Sequence, residues 1–336
     1  MKIAVELQST PALIRVDGVP NLSIRPLAHG HGWSVADVIC SAGPRIRPSE
    51  EQHSTVSIAV VRSGSFQYQS STGRELMIPG SLMLGNAGQY FQCGHEHGVG
   101  DQCIAFSYNR QFIEELAAEA GVQTRTKLFS SLRIPPVREL SNIISRASAG
   151  LPQSNASRMN DEQSRSWEEM AVELAILALE LSSQSARVAN SPAAEWRVTR
   201  AVRMIESRQP AEHDLLSLAQ EARLSRYHFL RIFRQLTGLT PHQYVVRSRL
   251  RHAATRLLTE PTRVLDIALD SGFGDVSNFN HAFRAEFGMN PRLFRSARAI
   301  RRVSHEGWRP FAEKLVFALE RMPGSSHART AHDTRP

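Results

Sequence analysis

Apolar positions along this chain recur with two different periods, and the change from one to the other divides it. Between about Trp33 and Tyr108 they fall in short runs separated by Gly, Ser and Asn: Val35–Cys40, Val56–Val61, Gly64–Tyr68, Ser81–Leu84 and Cys103–Phe106. Runs of that length and punctuation predict strands of a small antiparallel barrel or sandwich. Residues 1 to about 30 carry several prolines and little periodicity and read as irregular. From about Arg110 to Ala120 the period becomes helical, with Phe112, Leu116 and Ala117 on one face. A Ser/Asn-rich interruption from Gly150 to Ser166 reads as a surface loop. A longer helix is then expected from Trp167, where Trp167, Met170, Ala171, Leu174, Leu177, Ala178 and Leu181 recur at three and four. That stripe has two readings: packing on its own domain, or contact with a second copy of the chain.

The strongest helical pattern runs from Leu216 to Arg295, where two helix-turn-helix patterns stand in tandem. The first covers Ser217–Gly238 and the second Val264–Gly288. Each opens with a short helix carrying an apolar pair, Leu218-Ala219 or Ile267-Ala268, followed by a tight turn. Each continues in a second helix, Arg226–Thr237 or Val276–Phe287, with Phe229, Ile232 and Phe233, or Phe279, Ala282 and Phe283, on its core face. Ser225 and Asp275 supply the side-chain oxygens suited to N-caps, and Gly238 and Gly288 close the helices. Thr-Pro and Asn-Pro pairs then start the next helices. The first of these, from about Pro241 to Thr259, links the two units. At 1.5 Å rise per residue it spans about 27 Å, close to the roughly 34 Å between major grooves one turn apart.

The residues at these fixed spacings resemble the signature of the AraC/XylS family of transcription regulators. The match runs through Leu218-Ala219, Leu224-Ser225, Phe229, Arg231, Phe233, Gly238, Thr240-Pro241, Tyr244, Arg249-Leu250, Ala253 and Leu257-Leu258. It continues through Asp266-Ile267-Ala268, Gly272-Phe273, Asp275, Ser277, Phe279, Ala282-Phe283-Arg284, Phe287-Gly288, Pro291 and Arg295. The resemblance implies an α+β chain, with an N-terminal cupin-like β-barrel carrying helices and a C-terminal all-α domain with two helix-turn-helix motifs. The expected division is a sensing and dimerisation domain over 1–185, a linker over 186–194, read from the flanking Ser182–Ser185 and Asn190–Ala194, and a DNA-binding domain over 195–298. The motifs lie at about 216–237 and 265–288, and an extension with a disordered tail follows over 299–336, with an amphipathic helix near Pro310–Arg321. The implied partners are double-stranded DNA, a homodimer copy, a small-molecule effector and, for an activator, RNA polymerase.

Charge changes the picture in the same direction. The chain of 336 residues carries a formal net charge of +8. Glu195–Arg302 holds 19 Arg, no Lys and 10 acidic residues, or +9, which leaves the remainder at −1. A polyanionic partner for the segment holding both motifs is the physical expectation. No apolar run approaches the roughly 18 residues that span a bilayer, and no signal peptide is read at the N-terminus. Cys40, Cys93 and Cys103 form no secreted-type paired framework. A cytoplasmic, nucleoid-associated protein is expected, without membrane contact.

The second helix of each motif is the one whose dimensions suit a major groove. On Arg226–Thr237 the side away from the core carries Tyr227, Leu230, Arg231 and Arg234. Arg231 has a planar fork that can bond guanine O6 and N7 together, against alternatives of a phosphate contact or a surface ion pair. The family position implies apolar and thymine-methyl contacts for Tyr227 and Leu230. On Val276–Phe287 the corresponding residues are Val276, Ser277, Asn280 and His281. Family members commonly carry a basic residue where this chain has His281, which is shorter and mostly neutral at pH 7. Arg284, Arg292 and Arg295 suit phosphate contact or local structure.

One stretch outside the motifs carries chemistry of its own: Cys93-Gly94-His95-Glu96-His97, with Asp101 and Cys103 nearby. If extended, it points Cys93, His95 and His97 to one face, and these are good zinc or copper ligands. Gly94, Gly98 and Gly100 favour a hydrogen-bonded loop or pocket wall, and a thiol sensor is the third alternative. The loop reading is adopted, so no metal and no cofactor is expected. With no phosphate-binding glycine loop and no nucleophile motif, no enzyme activity is expected either.

Overall fold

The computed structural model describes residues 14–15, 21–95, 100–119, 128–150, 161–182, 192–207 and 214–300. Met1–Pro291 forms one compact unit and Arg292–Pro336 a second, each described by itself. His97, most of the linker 186–194 and the expected helix near Pro310–Arg321 lie outside the described residues.

The first half is antiparallel β. Its strands are β1 (Ile14–Arg15), β2 (Leu22–Gly30), β3 (Trp33–Cys40), β4 (Glu50–Gln52), β5 (Val56–Gly64) and β6 (Phe66–Ser70). They continue as β7 (Gly73–Met77), β8 (Leu82–Gly85), β9 (Tyr90–Gly94), β10 (Asp101–Tyr108) and β11 (Arg133–Ile134). They form a seven-stranded sheet in the order β1-β2-β3-β10-β5-β8-β11 and a four-stranded sheet in the order β4-β9-β6-β7. The side chains of β5 and β10 alternate as the pleat requires. Ile58, Val60, Ile104 and Phe106 point to one core. Ala59, Val61 and Cys103 point to another, shared with Phe66, Tyr68 and Met77 of the smaller sheet. The second core therefore joins the two sheets, in the antiparallel architecture expected of the N-terminal domain.

Helices cover the other face of the large sheet. They are α1 (Arg110–Glu119), α2 (Ser141–Gly150) and α3 (Asp161–Ser182), with a 3-10 turn at Arg138–Leu140 before α2. Trp167, Met170, Ala171, Leu174 and Ala178 of α3 lie in the same core as Ile58 and Phe106. Their stripe is internal to this chain, which resolves the two sequence readings for these side chains in favour of the chain's own core.

Several elements differ from the sequence expectation, among them β2, α2, α3 and α4 (Pro192–Glu206), which begins within the expected linker. β2 occupies a segment read as irregular, because a register shift between Pro26 and Ala28 lets the strand carry a proline. α2 (Ser141–Gly150) forms where no helix is read from the sequence, and α3 begins at Asp161 rather than Trp167. In α2 tertiary packing overrides a serine-rich local sequence; the helix buries Ile143, Ile144 and Ala147.

The C-terminal half is all α: α4 (Pro192–Glu206), α5 (Leu215–Glu221), α6 (Arg226–Thr237), α7 (Pro241–Thr259), α8 (Val264–Asp270), α9 (Val276–Phe287) and α10 (Pro291–Ile300). The first motif closes over Val198, Val202, Leu218, Phe229, Phe233 and Tyr244, and Leu76 and Ile78 from the β region pack into the same core. Among the described residues no helix is long and apolar enough to cross a membrane.

Candidate nucleic-acid interface

Local sequence fixes both second helices at both ends. The Ser225 and Asp275 side chains accept hydrogen bonds from the backbone N–H groups of His228 and Asn278, at 3.4 and 2.7 Å. Such caps contribute about 1 kcal/mol each. Gly238 and Gly288 end the helices at φ +79° and +72°, a region that favours glycine. α7 starts with a full capping box, in which Thr240 and Gln243 each bond the other's backbone N–H.

With their ends fixed, the helices orient by burying one face. Phe229 and Phe233 are fully buried, with rings 5.3 Å apart; Phe279 and Phe283 repeat this at 5.4 Å. The opposite faces are then set by helical geometry. Tyr227, Leu230, Arg231 and Arg234 are exposed on α6, and Ser277, Asn280, His281 and Arg284 on α9. Counted from the caps, the two sets occupy the same four positions. Tyr227, 76% exposed, is an aromatic ring in water. Among the described residues none of these eight side chains has a hydrogen bond or ion pair. Val276, at the start of α9, is half-buried, so it is less accessible than the other residues singled out there. Arg295, half-buried on α10, belongs to the second unit.

The turns between first and second helices are held by two arginines, Arg197 and Arg249, the second of which also belongs to the family signature. Arg197 donates to the carbonyls of Ala222 and Arg223 at 3.0 and 2.8 Å. Arg249 donates to the carbonyl of Gly272 at 2.8 Å. Arg200 pairs with Glu221, Arg247 with Glu286, Arg251 with Glu206, and Arg256 with Glu260 and Asp270. These pairs join arginines to acidic residues already subtracted in the +9, so the net charge is unchanged while the paired arginines are held inside the domain. On the two second helices themselves the exposed positive charges are Arg226, Arg231, Arg234 and Arg284. Arg226, at the first position of α6, was not singled out from sequence; its place directly after the Ser225 cap was the available signal.

The cysteine-histidine stretch is only partly a loop. Cys93 lies in β9 opposite Tyr68, and His95 follows the strand, buried, with Nε2 2.5 Å from Asp101 Oδ2. Hydrogen bonding to Asp101 opposes the effect of burial and holds His95 up at about 9.

The family model of the helix-turn-helix domain matches residues 218–297. The transcriptional activator AarP of Providencia stuartii is 35% identical over 78 residues, 23% of this chain and 58% of that protein. The transcriptional activator RhaS of Escherichia coli (strain SE11) is 32% identical over 139 residues, 41% of this chain and 49% of that protein. The solved DNA-binding domain of the transcription factor AdpA, in complex with a target DNA, is 30% identical over 32% of this chain and 98% of that one, with a TM-score of 0.31. This chain thus spans about half the length of these two curated relatives.

Proposed function

Because the C-terminal region belongs to the AraC family of helix-turn-helix domains, we propose that the chain is a sequence-specific DNA-binding transcription regulator that places α6 and α9 in adjacent major grooves. The observation that carries this reading is the matched pair of exposed faces. Two capped helices bury equivalent phenylalanines and turn Tyr227, Leu230, Arg231 and Arg234, and Ser277, Asn280, His281 and Arg284, outward without partners in the described chain. Polar side chains without internal partners are what base edges and phosphates require.

Within this reading Arg231 is the main base reader. Tyr227, Leu230, Val276, Ser277, Asn280 and His281 provide the weaker contacts, and Arg234, Arg284 and Arg295 meet phosphate. The chain divides into a sensing and dimerisation domain over 1–185, a linker over 186–194, the DNA-binding domain over 195–298 and an extension over 299–336. A homodimer, a small-molecule effector and RNA polymerase complete the partner set of an activator working in the cytoplasm on the nucleoid. No catalytic role is assigned.

Selection of bound duplexes from a random library, followed by titration of the winner against a scrambled duplex at fixed salt, tests the proposal. A specific protein is expected to prefer its site by about 10³-fold or more. Equal affinity for both duplexes would overturn it.

A further inference from the structure

The N-terminal domain places three side chains of different metal-ligating chemistry at one point. The ligand atoms of Cys40, His95 and Asp101 all lie within 4.8 Å of one another. Sequence does not suggest the grouping, because Cys40 is remote from the other two; sheet pairing creates it. Cys40 at the end of β3 is the direct antiparallel partner of Asp101 at the start of β10, so their side chains share a face. His95 arrives from the other sheet, one residue beyond β9.

Close backbone packing holds this corner. A Cβ on Gly64, which pairs with Asp101 from β5, would come within 2.3 Å of the Gly100 carbonyl and 2.6 Å of the Asp101 Cα. Gly100 itself sits at φ +72° with the Cys40 carbonyl 2.9 Å from where its Cβ would be. Both glycines are therefore required by the approach of the three strands. A fourth donor stands beside the set: Cys103 follows Asp101 on the same face of β10, with Sγ 3.5 Å from Asp101 Oδ1.

We infer that Cys40, His95 and Asp101, with Cys103 as fourth ligand, form a binding site for a zinc-class divalent cation that ties the two β-sheets together. Two thiolates, an imidazole and a carboxylate match the ligand types of tetrahedral zinc, whose bonds of about 2.0–2.3 Å put ligand atoms roughly 3–4 Å apart. The 4.8 Å spread covers Cys40, His95 and Asp101; Cys103, 3.5 Å from Asp101, lies outside that group and joins it by side-chain rotation. Thiolates disfavour magnesium and calcium, which take oxygen ligands. Binding releases the thiol protons and the proton shared between His95 and Asp101, and replaces that hydrogen bond with two metal bonds.

The test uses the full-length chain without an affinity tag, stripped with chelator and then titrated with Zn(II) and, separately, Co(II). One Zn(II) per chain is expected, with a raised melting temperature. Co(II) is expected to give a thiolate-to-metal charge-transfer band; with three cysteines in the sequence, that band separates this site from histidines elsewhere. Cys40→Ser, His95→Gln and Asp101→Asn should each weaken Zn(II) binding by at least ~10-fold, the lower limit seen when even an outer-shell partner is lost. Cys93→Ser should leave binding unchanged. If Cys40→Ser fails to fold, as circular dichroism would show, the nearly isosteric His95→Gln and Asp101→Asn decide. The inference is overturned by absence of the charge-transfer band in the unaltered chain, by unchanged affinity in His95→Gln and Asp101→Asn, or by a loss confined to Cys93→Ser.

Discussion

Arg247 on the linking helix reaches Glu286 near the end of α9 at 3.1 Å, and its Nη1 donates to the carbonyl of Pro136 at 2.8 Å. Ser141, at the start of α2, also hydrogen-bonds Glu286. One arginine and one glutamate thus connect α9, the helix between the motifs and the N-terminal half. Glu286→Ala is expected to lower stability by about 1.5–3 kcal/mol, the range for hydrogen bonds to charged groups. A double-mutant cycle with Arg247→Ala in urea should give a coupling of about 0.5–3 kcal/mol. Additive single effects would show that the contact contributes nothing.

Leu174 is fully buried among Ile58, Phe106 and Trp167. Leu174→Glu places a carboxylate in that core and is expected to cost more than about 4 kcal/mol, seen as loss of the cooperative thermal transition. A variant that kept wild-type stability while sedimenting as a smaller species would restore the reading of this stripe as a contact between copies.

The two motif turns differ at one equivalent position. Gly272 in the second sits at φ +81°, and Arg223 in the first at φ +53°, the single non-glycine residue at positive φ among the described residues. A side chain there costs about 1–2 kcal/mol, while glycine adds entropy to the unfolded chain. Arg223→Gly is therefore expected to stabilise the protein by roughly 0.5–1 kcal/mol. The bonds from Arg197 go to backbone carbonyls and survive the change. A lower urea midpoint would refute the strain argument.

His53 is buried beside Tyr68, with its ring stacked on Phe91 at 4.1 Å and Nε2 2.7 Å from the Tyr68 hydroxyl. Burial lowers its pKa from 6.5 to about 4. The unfolded chain then binds the extra proton first, so this contribution is complete above about pH 6.5 and is lost as pH falls toward 4. The slope approaches about 1.4 kcal/mol per pH unit for one proton. Urea midpoints between pH 4.5 and 7 should fall less steeply in His53→Gln than in the unaltered chain. Parallel curves would refute the assignment.

The tandem motifs were legible because their information is local. Ser225, Asp275, Gly238 and Gly288 each mark an end within one turn of the helix they bound, and the paired phenylalanines mark its inner face. β2, α2 and the Cys40–His95–Asp101 cluster were not legible because their information is distant. Leu22–Gly30 carries Pro26 and becomes a strand by pairing with β3. Cys40 meets Asp101 through strand register, which periodicity does not encode. The total of +9 concealed how many arginines, among them Arg197, Arg249 and Arg256, hold backbone or carboxylate groups inside the domain.

The proposed division of labour between α6 and α9 rests on one comparison. Arg231 and His281 hold the same position on α6 and α9, both exposed and both without a partner among the described residues. Arg231 offers a charged bidentate donor, and a good pair of that kind discriminates bases by about 1–3 kcal/mol. Arg231→Ala is therefore expected to weaken binding by that amount and relax preference at one or two positions of the site. His281→Ala should cost less and leave the preference nearly intact, since an imidazole lacks the planar two-donor fork of an arginine. Arg295→Ala, if it removes a phosphate contact, should weaken all sequences alike and reduce the salt slope by about one. Titrations against single-base variants of the selected duplex, at two salt concentrations, measure all three. Greater relaxation by His281→Ala than by Arg231→Ala would move the main reading to the second motif.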